Sequence, residues 1–139
     1  MPPFHLAFPV TDLEATRRFY ADLIGCQIGR QAPGQWIDFD FFGHQITAHL
    51  RASHQGVLSV SVVDRDEVPV PHFGAILPIA DWRALAARLE ADPDIRWGLK
   101  PKTRFAGEVG EQSTLFLYDP SGNALEFKAF GEAASIFAT

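Results

Sequence analysis

His5, His49, His72 and Glu126 are the residues of this chain best suited to holding a metal ion. Two imidazoles and a carboxylate form the facial triad of non-heme Fe(II) sites, and the same set suits Mn, Zn, Ni or Co. Three protein ligands leave positions open for water and substrate, as a catalytic metal requires. Taken alone, a histidine in a strand is more often packed or solvated than a ligand, because its ring adapts to many settings. Glu126 stands out by its neighbours, since Leu125 and Phe127 flank it in an apolar run. In a strand its side chain points away from theirs. If that opposite face is solvent the carboxylate is unremarked; if it lines a cleft, burial is costly and a cation should answer it. His44 beside Gly43, and His54 in a connecting stretch, read as surface histidines. Cys26 reads as a small buried residue. Asp38 and Asp40 alternate with Ile37, Phe39 and Phe41 and read as one polar strand face, not as a catalytic pair.

The elements that must position these groups follow from local chemistry. Residues 4–10 read as a short buried strand. Thr11 with Glu14 three residues on has the form of a capping box. Leu13, Thr16, Tyr20, Leu23 and Ile24 recur at helical spacing, and Gly25 stops the helix. Residues 26–30 read as a strand, Pro33 and Gly34 as a turn, and 36–41 with 45–50 as a hairpin. Residues 57–63 read as a strand or extended linker, followed by a charged turn over 64–67. The pattern then restarts: a strand over 73–79, a helix with Asp81 as N-cap and Trp82, Leu85, Ala86 and Leu89 inward, a strand over 95–99 and a loop over 100–113. Two final strands flank Asp119-Pro120-Ser121-Gly122-Asn123, in which Pro fixes φ while Gly and Asn tolerate positive φ. Lys100, Lys102 and Arg104 fall on the loop as read here. They could meet a substrate anion there, although a solvated basic loop is the commoner case.

This is an internal repeat. Pro9-Val10-Thr11-Asp12-Leu13 corresponds to Pro78-Ile79-Ala80-Asp81-Trp82. His5 precedes the first junction and His72 the second, with strand parity preserved. At the module ends His49 aligns with Glu126, with offsets from the preceding glycines that differ by two. The expected architecture is α+β: two βαβββ modules forming a curved mixed sheet around a central metal-binding cleft. The chain is expected to be a single domain, with module one at about 4–51, a connection at about 52–70, module two at about 71–130 and a C-terminal tail over 131–139.

At 139 residues the chain suffices for one domain with a true core. A formal charge of −5 argues against nucleic acid or an anionic membrane as partner. One cysteine excludes an intrachain disulfide and fits a reducing compartment. No signal peptide or transmembrane-length run is visible, so a cytoplasmic location is expected.

The chain resembles the vicinal oxygen chelate superfamily, which includes glyoxalases, bleomycin-resistance proteins, fosfomycin thiol transferases, epimerases and extradiol dioxygenases. Phe4-His5-Leu6, Val10-x-Asp12-Leu13, Phe19-Tyr20, His72 and above all Asp119-Pro120-Ser121-Gly122-Asn123-Ala124-Leu125-Glu126-Phe127 carry the resemblance. It implies that His5, His72 and Glu126 are metal ligands and that His49 stands where glyoxalases carry a second carboxylate. It also implies a homodimer and a small-molecule substrate. The nearest branch is that of small predicted extradiol-type dioxygenases, with Fe(II) or Mn(II) favoured. Residues 108–116 lack the histidine and tyrosine that ring-cleaving members carry upstream of the Asp-Pro turn, so His49 is assigned the acid/base role or a fourth ligand position. A metal-dependent isomerase, epimerase or thiol transferase is the alternative. A third reading is a metal-free drug-binding protein with Trp36, Phe39, Trp97 and Phe105 as stacking walls.

Overall fold

Alternation assigns a role to each face of the last strand. In Ala124–Phe130, Leu125, Phe127 and Ala129 are buried, while Glu126, Lys128 and Phe130 on the opposite face are half-buried. The computed structural model describes residues 1–131 and 136–137, so most of the expected tail lies outside the described residues. The element order is β1 (His5–Val10), α1 (Leu13–Arg17), β2 (Gln27–Ala32), β3 (Trp36–Phe41), β4 (His44–Leu50), β5 (Ser59–Val63), β6 (Asp66–Val70), β7 (Phe73–Ile76), α2 (Ile79–Glu90), β8 (Arg96–Arg104), β9 (Gln112–Tyr118) and β10 (Ala124–Phe130). Both predicted βαβββ modules are present as mixed sheets, ordered β1-β4-β3-β2 and β7-β10-β9-β8. In each, the first and last strands pair in parallel and the remaining neighbours antiparallel.

The chain divides into two compact units: Met1–Gly56 with Asp119–Asn123, and Val57–Tyr118 with the chain from Ala124 onward. The tip between β9 and β10 therefore belongs to the first unit, and one buried carboxylate explains its hold there. Asp119 Oδ1 accepts from the backbone N–H groups of Ser121 and Asn123, each at 2.9 Å. Its Oδ2 accepts from Tyr20 Oη at 2.8 Å and Asn123 Nδ2 at 2.9 Å. Burial lifts the Asp119 carboxyl above its usual range even though these donors work the other way. Burial likewise holds Tyr20 well above the ordinary phenol value, so it stays a donor. Asn123 also donates to the Pro9 carbonyl at 2.8 Å, and Ser121 Oγ accepts from the Thr11 N–H at 2.9 Å.

Several local expectations are corrected. Thr11 is committed to Ser121, so Asp12 caps α1 by accepting from the Ala15 N–H at 2.9 Å. The helix continues as a wider π-helical stretch over Arg18–Ile24 and ends at Gly25, whose φ of 95° is left-handed as predicted. α2 begins after Pro78, leaving Asp81 inside its first turn, where a negative charge suits the helix dipole. Its buried stripe of Trp82, Leu85, Ala86 and Leu89 is the predicted one, and Trp82 Nε1 donates to the Phe127 carbonyl at 2.8 Å. The connection contains a hairpin, β5 and β6. β8 runs through Arg104, so Lys100, Lys102 and Arg104 are strand residues and not a loop. Arg104 donates to Asp64 Oδ2 at 3.1 Å and Asp66 Oδ2 at 2.9 Å, and Lys102 reaches Asp66 at 2.8 Å. Asp64 and Arg65, both at positive φ, form the turn that these bonds hold.

Tyr20→Phe removes one donor from a buried carboxylate. It is expected to lower unfolding free energy by about 1–3 kcal/mol in urea titrations without changing the fold.

Candidate metal centre

The structure brings His72 and Glu126 together within the second unit. β7 and β10 are parallel neighbours, with Gly74 opposite Glu126. His72, two residues before Gly74, places Nε2 3.3 Å from Glu126 Oε1. Its Nδ1 lies 2.7 Å from the Pro69 carbonyl, which can only accept, so Nδ1 carries a proton. In the neutral ring Nε2 is then a bare lone pair facing a carboxylate oxygen. Two acceptors at that distance need a positive charge, supplied either by a second proton on the ring or by a cation between them. Donors bound to one ion at about 2.1 Å lie about 3–3.4 Å apart, so the pair fits a shared divalent metal without rearrangement. A ligating imidazole whose other nitrogen is held by a carbonyl is the usual arrangement at metal sites.

Glu126 is supported on its other oxygen. Thr114 Oγ1 donates to Oε2 at 2.7 Å, and Thr114 itself is 1% exposed. Lys128, on the same face of β10, places Nζ 4.0 Å from Oε1. Burial pushes the Glu126 carboxyl up, but the bonds from His72 and Thr114 and the charge of Lys128 outweigh it and hold it below its usual range. The His72 imidazole is raised, chiefly by its bond to Glu126. The Phe116 ring meets the His72 ring edge-on, with centroids 4.9 Å apart. Gly74 is needed for the close approach of the strands, because a Cβ there would overlap the Glu126 carbonyl oxygen.

The first unit carries His5 and His49. They share a face of the β1–β4 pair, but His5 lies opposite Gln45, whereas His49 lies opposite Pro9 and Trp36. That is four residues, about 13 Å, along the strands. The register also shifts the repeat. Ala7, two past His5, faces Thr47, just as Gly74, two past His72, faces Glu126. Thr47 is thus the counterpart of Glu126, and His49 that of Lys128. The gap placed between the modules in the sequence is not needed, since Thr47 follows Gly43 at the same distance as Glu126 follows Gly122. Thr47 donates to Asp38 Oδ1 at 2.6 Å. Among the described residues no group of three His, Cys, Asp or Glu side chains could hold a metal ion.

Other candidates fall away. His44 Nδ1 accepts from the Phe4 N–H at 2.7 Å. His54, expected at the surface, is half-buried and donates from Nε2 to Asn123 Oδ1 at 2.8 Å, the amide nitrogen of Asn123 being engaged elsewhere. Cys26 is buried, and that burial pushes its thiol to about 12. Phe39 is 1% exposed and packs on Tyr20, so it is core and not a stacking wall.

A family model for the Glyoxalase/Bleomycin resistance protein/Dioxygenase superfamily matches residues 3–127. The chain belongs to this superfamily, the vicinal oxygen chelate proteins. Among solved members, a glyoxalase/bleomycin resistance protein/dioxygenase from Alicyclobacillus acidocaldarius is 32% identical, with a TM-score of 0.77 over 98% of this chain and 96% of that one. The fosfomycin resistance protein FosX from Listeria monocytogenes is 15% identical, with a TM-score of 0.70 and 97% of each chain covered. A lactoylglutathione lyase from Agrobacterium tumefaciens is 18% identical, with a TM-score of 0.63 and each chain wholly covered. At the last two identities the likeness is one of fold. No functionally curated protein matches the chain. Among the described residues no helix is long and apolar enough to cross a membrane.

Sequence reasoning singled out His72 and Glu126, which the structure brings together, but not the groups that hold them. Thr114 is the last of three polar residues that open β9 before its apolar run, and could have been flagged. The Pro69 carbonyl leaves no side-chain signal.

In metal-free protein, Glu126→Gln should bring the His72 pKa down toward its ordinary value, read by NMR titration of the ring. The pair's stabilisation is expected to fade as pH rises through the raised His72 value and as it falls through the lowered Glu126 value. Gly74→Ala should weaken the β7–β10 pairing, seen as faster amide exchange in β7 and a lower Tm.

Proposed function

We propose that this protein is a metal-dependent enzyme that binds a small oxygen-chelating substrate at a divalent metal. The observation carrying the reading is the His72–Glu126 pair, with Nδ1 fixed as a donor and Nε2 turned to the carboxylate. His5 is the proposed third ligand, supplied by its own chain or by a second copy in a homodimer. Fe(II) or Mn(II) is favoured, with Zn, Ni or Co as alternatives. When bound, the ion supplies Lewis-acid polarisation and a template for two substrate oxygens. The chain's residues do the rest. The Pro69 carbonyl fixes the His72 tautomer, Thr114 holds Glu126 Oε2 in place, and His49 takes and returns a proton at a ring nitrogen.

The favoured reaction is extradiol-type ring cleavage of an ortho-diphenol by O2. A second reading, isomerase, epimerase or thiol-transferase chemistry without O2, draws support from the absence of the histidine and tyrosine in residues 108–116. The drug-binding reading has lost Phe39 as a wall.

Metal analysis of purified protein, then oxygen uptake with a panel of ortho-diphenols, tests this. Bound metal that falls at least tenfold in His72→Ala and Glu126→Ala, together with oxygen uptake, is the expected result. Metal without oxygen uptake favours the second reading, and no metal of any of the five kinds removes both. His49→Ala should keep its metal and lose turnover; normal turnover would take the proton-transfer role from His49.

A further inference from the structure

The face of the second unit that carries Glu126 also carries Arg96, which lies over the Tyr118 ring, together with Lys102, Arg104 and Lys128. β9 sets Thr114 opposite Lys128 and Phe116 opposite Glu126, while β8 sets Lys102 opposite Thr114 and Arg104 opposite Gln112. Residues facing each other across a ladder share a face, and α2 lies against the other one, where Trp82 meets the Phe127 backbone. Lys102 and Arg104 are paired with Asp66 and Asp64 at 2.8–3.1 Å. Lys128 has no such aspartate. Its ion-pair partner is Glu126, at 4.0 Å and so beyond hydrogen-bond reach, and its Nζ lies 5.9 Å from the Phe130 ring centroid. The side chain of Lys128 is 34% exposed and that of Glu126 14%. Much of the ammonium's environment is therefore protein, where an opposite charge matters more than in water.

This inference rests on the metal reading above. A divalent ion on Glu126 neutralises the carboxylate that answers Lys128. The ion, one carboxylate, neutral imidazoles and one ammonium leave a local charge of about +2, against about +1 without the lysine. We propose that Lys128 is a substrate-contacting residue that selects doubly anionic oxygen chelators, such as small dicarboxylates or fully ionised diphenols, over singly charged ones of the same shape. His49 is the residue at the corresponding register position of the first unit. At that register position the first module therefore has no ammonium.

The test uses protein loaded with Co(II), whose visible spectrum reports ligand exchange, titrated with oxalate and with oxamate, its near-isosteric monoanion. In the native protein oxalate should bind more tightly than oxamate. Lys128→Met should cut that preference about tenfold, the worth of one charge-assisted bond, while Co(II) affinity is kept or rises, because a cation beside Glu126 has been removed. Lys128→Arg should restore the preference. An unchanged oxalate-to-oxamate ratio in Lys128→Met overturns the proposal while leaving the metal reading intact. Loss of Co(II) affinity in that variant also overturns it, because the lysine would then act on the metal. Failure of the native protein to take up Co(II) or any of the other four metals refutes the metal reading and this inference with it.

Discussion

The hydrogen bond from His72 Nδ1 to the Pro69 carbonyl sets the terms for the rest of the site. A carbonyl cannot donate, so the bond fixes which nitrogen carries the proton and leaves the other bare toward Glu126. A free imidazole could turn or change tautomer to donate to the carboxylate; this one is committed. Thr114 takes the second carboxylate oxygen, so Glu126 offers Oε1 alone to whatever lies between it and the ring. The arrangement is two acceptors short of one cation. A proton on Nε2 is one answer to that need: the bond between the two groups raises the imidazole and helps to lower the carboxylate.

Holding two acceptors 3.3 Å apart requires that the strands beneath them cannot drift. Gly74 lets β7 lie against the β10 backbone at the Glu126 carbonyl, where any side chain would force the strands apart. Within the first unit, the tip Asp119–Asn123 is held by a carboxylate that accepts four hydrogen bonds. An unpaired carboxylate with this burial would be strongly destabilising, whereas a fully satisfied one specifies a single geometry. Gly56 and Gly122, both at positive φ, cross backbone to backbone at the same tip; a Cβ on Gly56 would come within 2.8 Å of the Gly122 carbonyl oxygen.

Much of this was legible in residue order. Glu126 between two buried apolar residues reads directly as a carboxylate on the opposite face, because strand alternation is a property of the backbone. Gly25, the β3–β4 hairpin and the inward stripe of α2 follow from equally local chemistry. What failed did so where a distant partner overrides a local signal. Thr11 looks like a helix cap, but its hydroxyl and N–H are both engaged by Ser121, 110 residues away, and Asp12 takes the role. The run from Lys100 to Arg104 looks like a solvated loop because its charges are visible in the sequence while the aspartates that answer them sit on another hairpin. His54 looks like a surface residue because nothing local reveals Asn123.

The repeat illustrates the difference between pattern and register. Matching functional residue types drew His49 onto Glu126 and required a gap. Strand pairing removes the gap and sets Thr47 opposite Ala7 where Glu126 lies opposite Gly74. The two modules therefore keep one scaffold but not one chemistry. At the same two positions the first offers a hydroxyl and then an imidazole, and the second a carboxylate and then an ammonium. The first module therefore sets neither a carboxylate nor an ammonium at these two positions. The second carries a carboxylate and, on the same face, an ammonium 4.0 Å from it. An oxygen chelator answering both would meet a field that favours negative charge near β10.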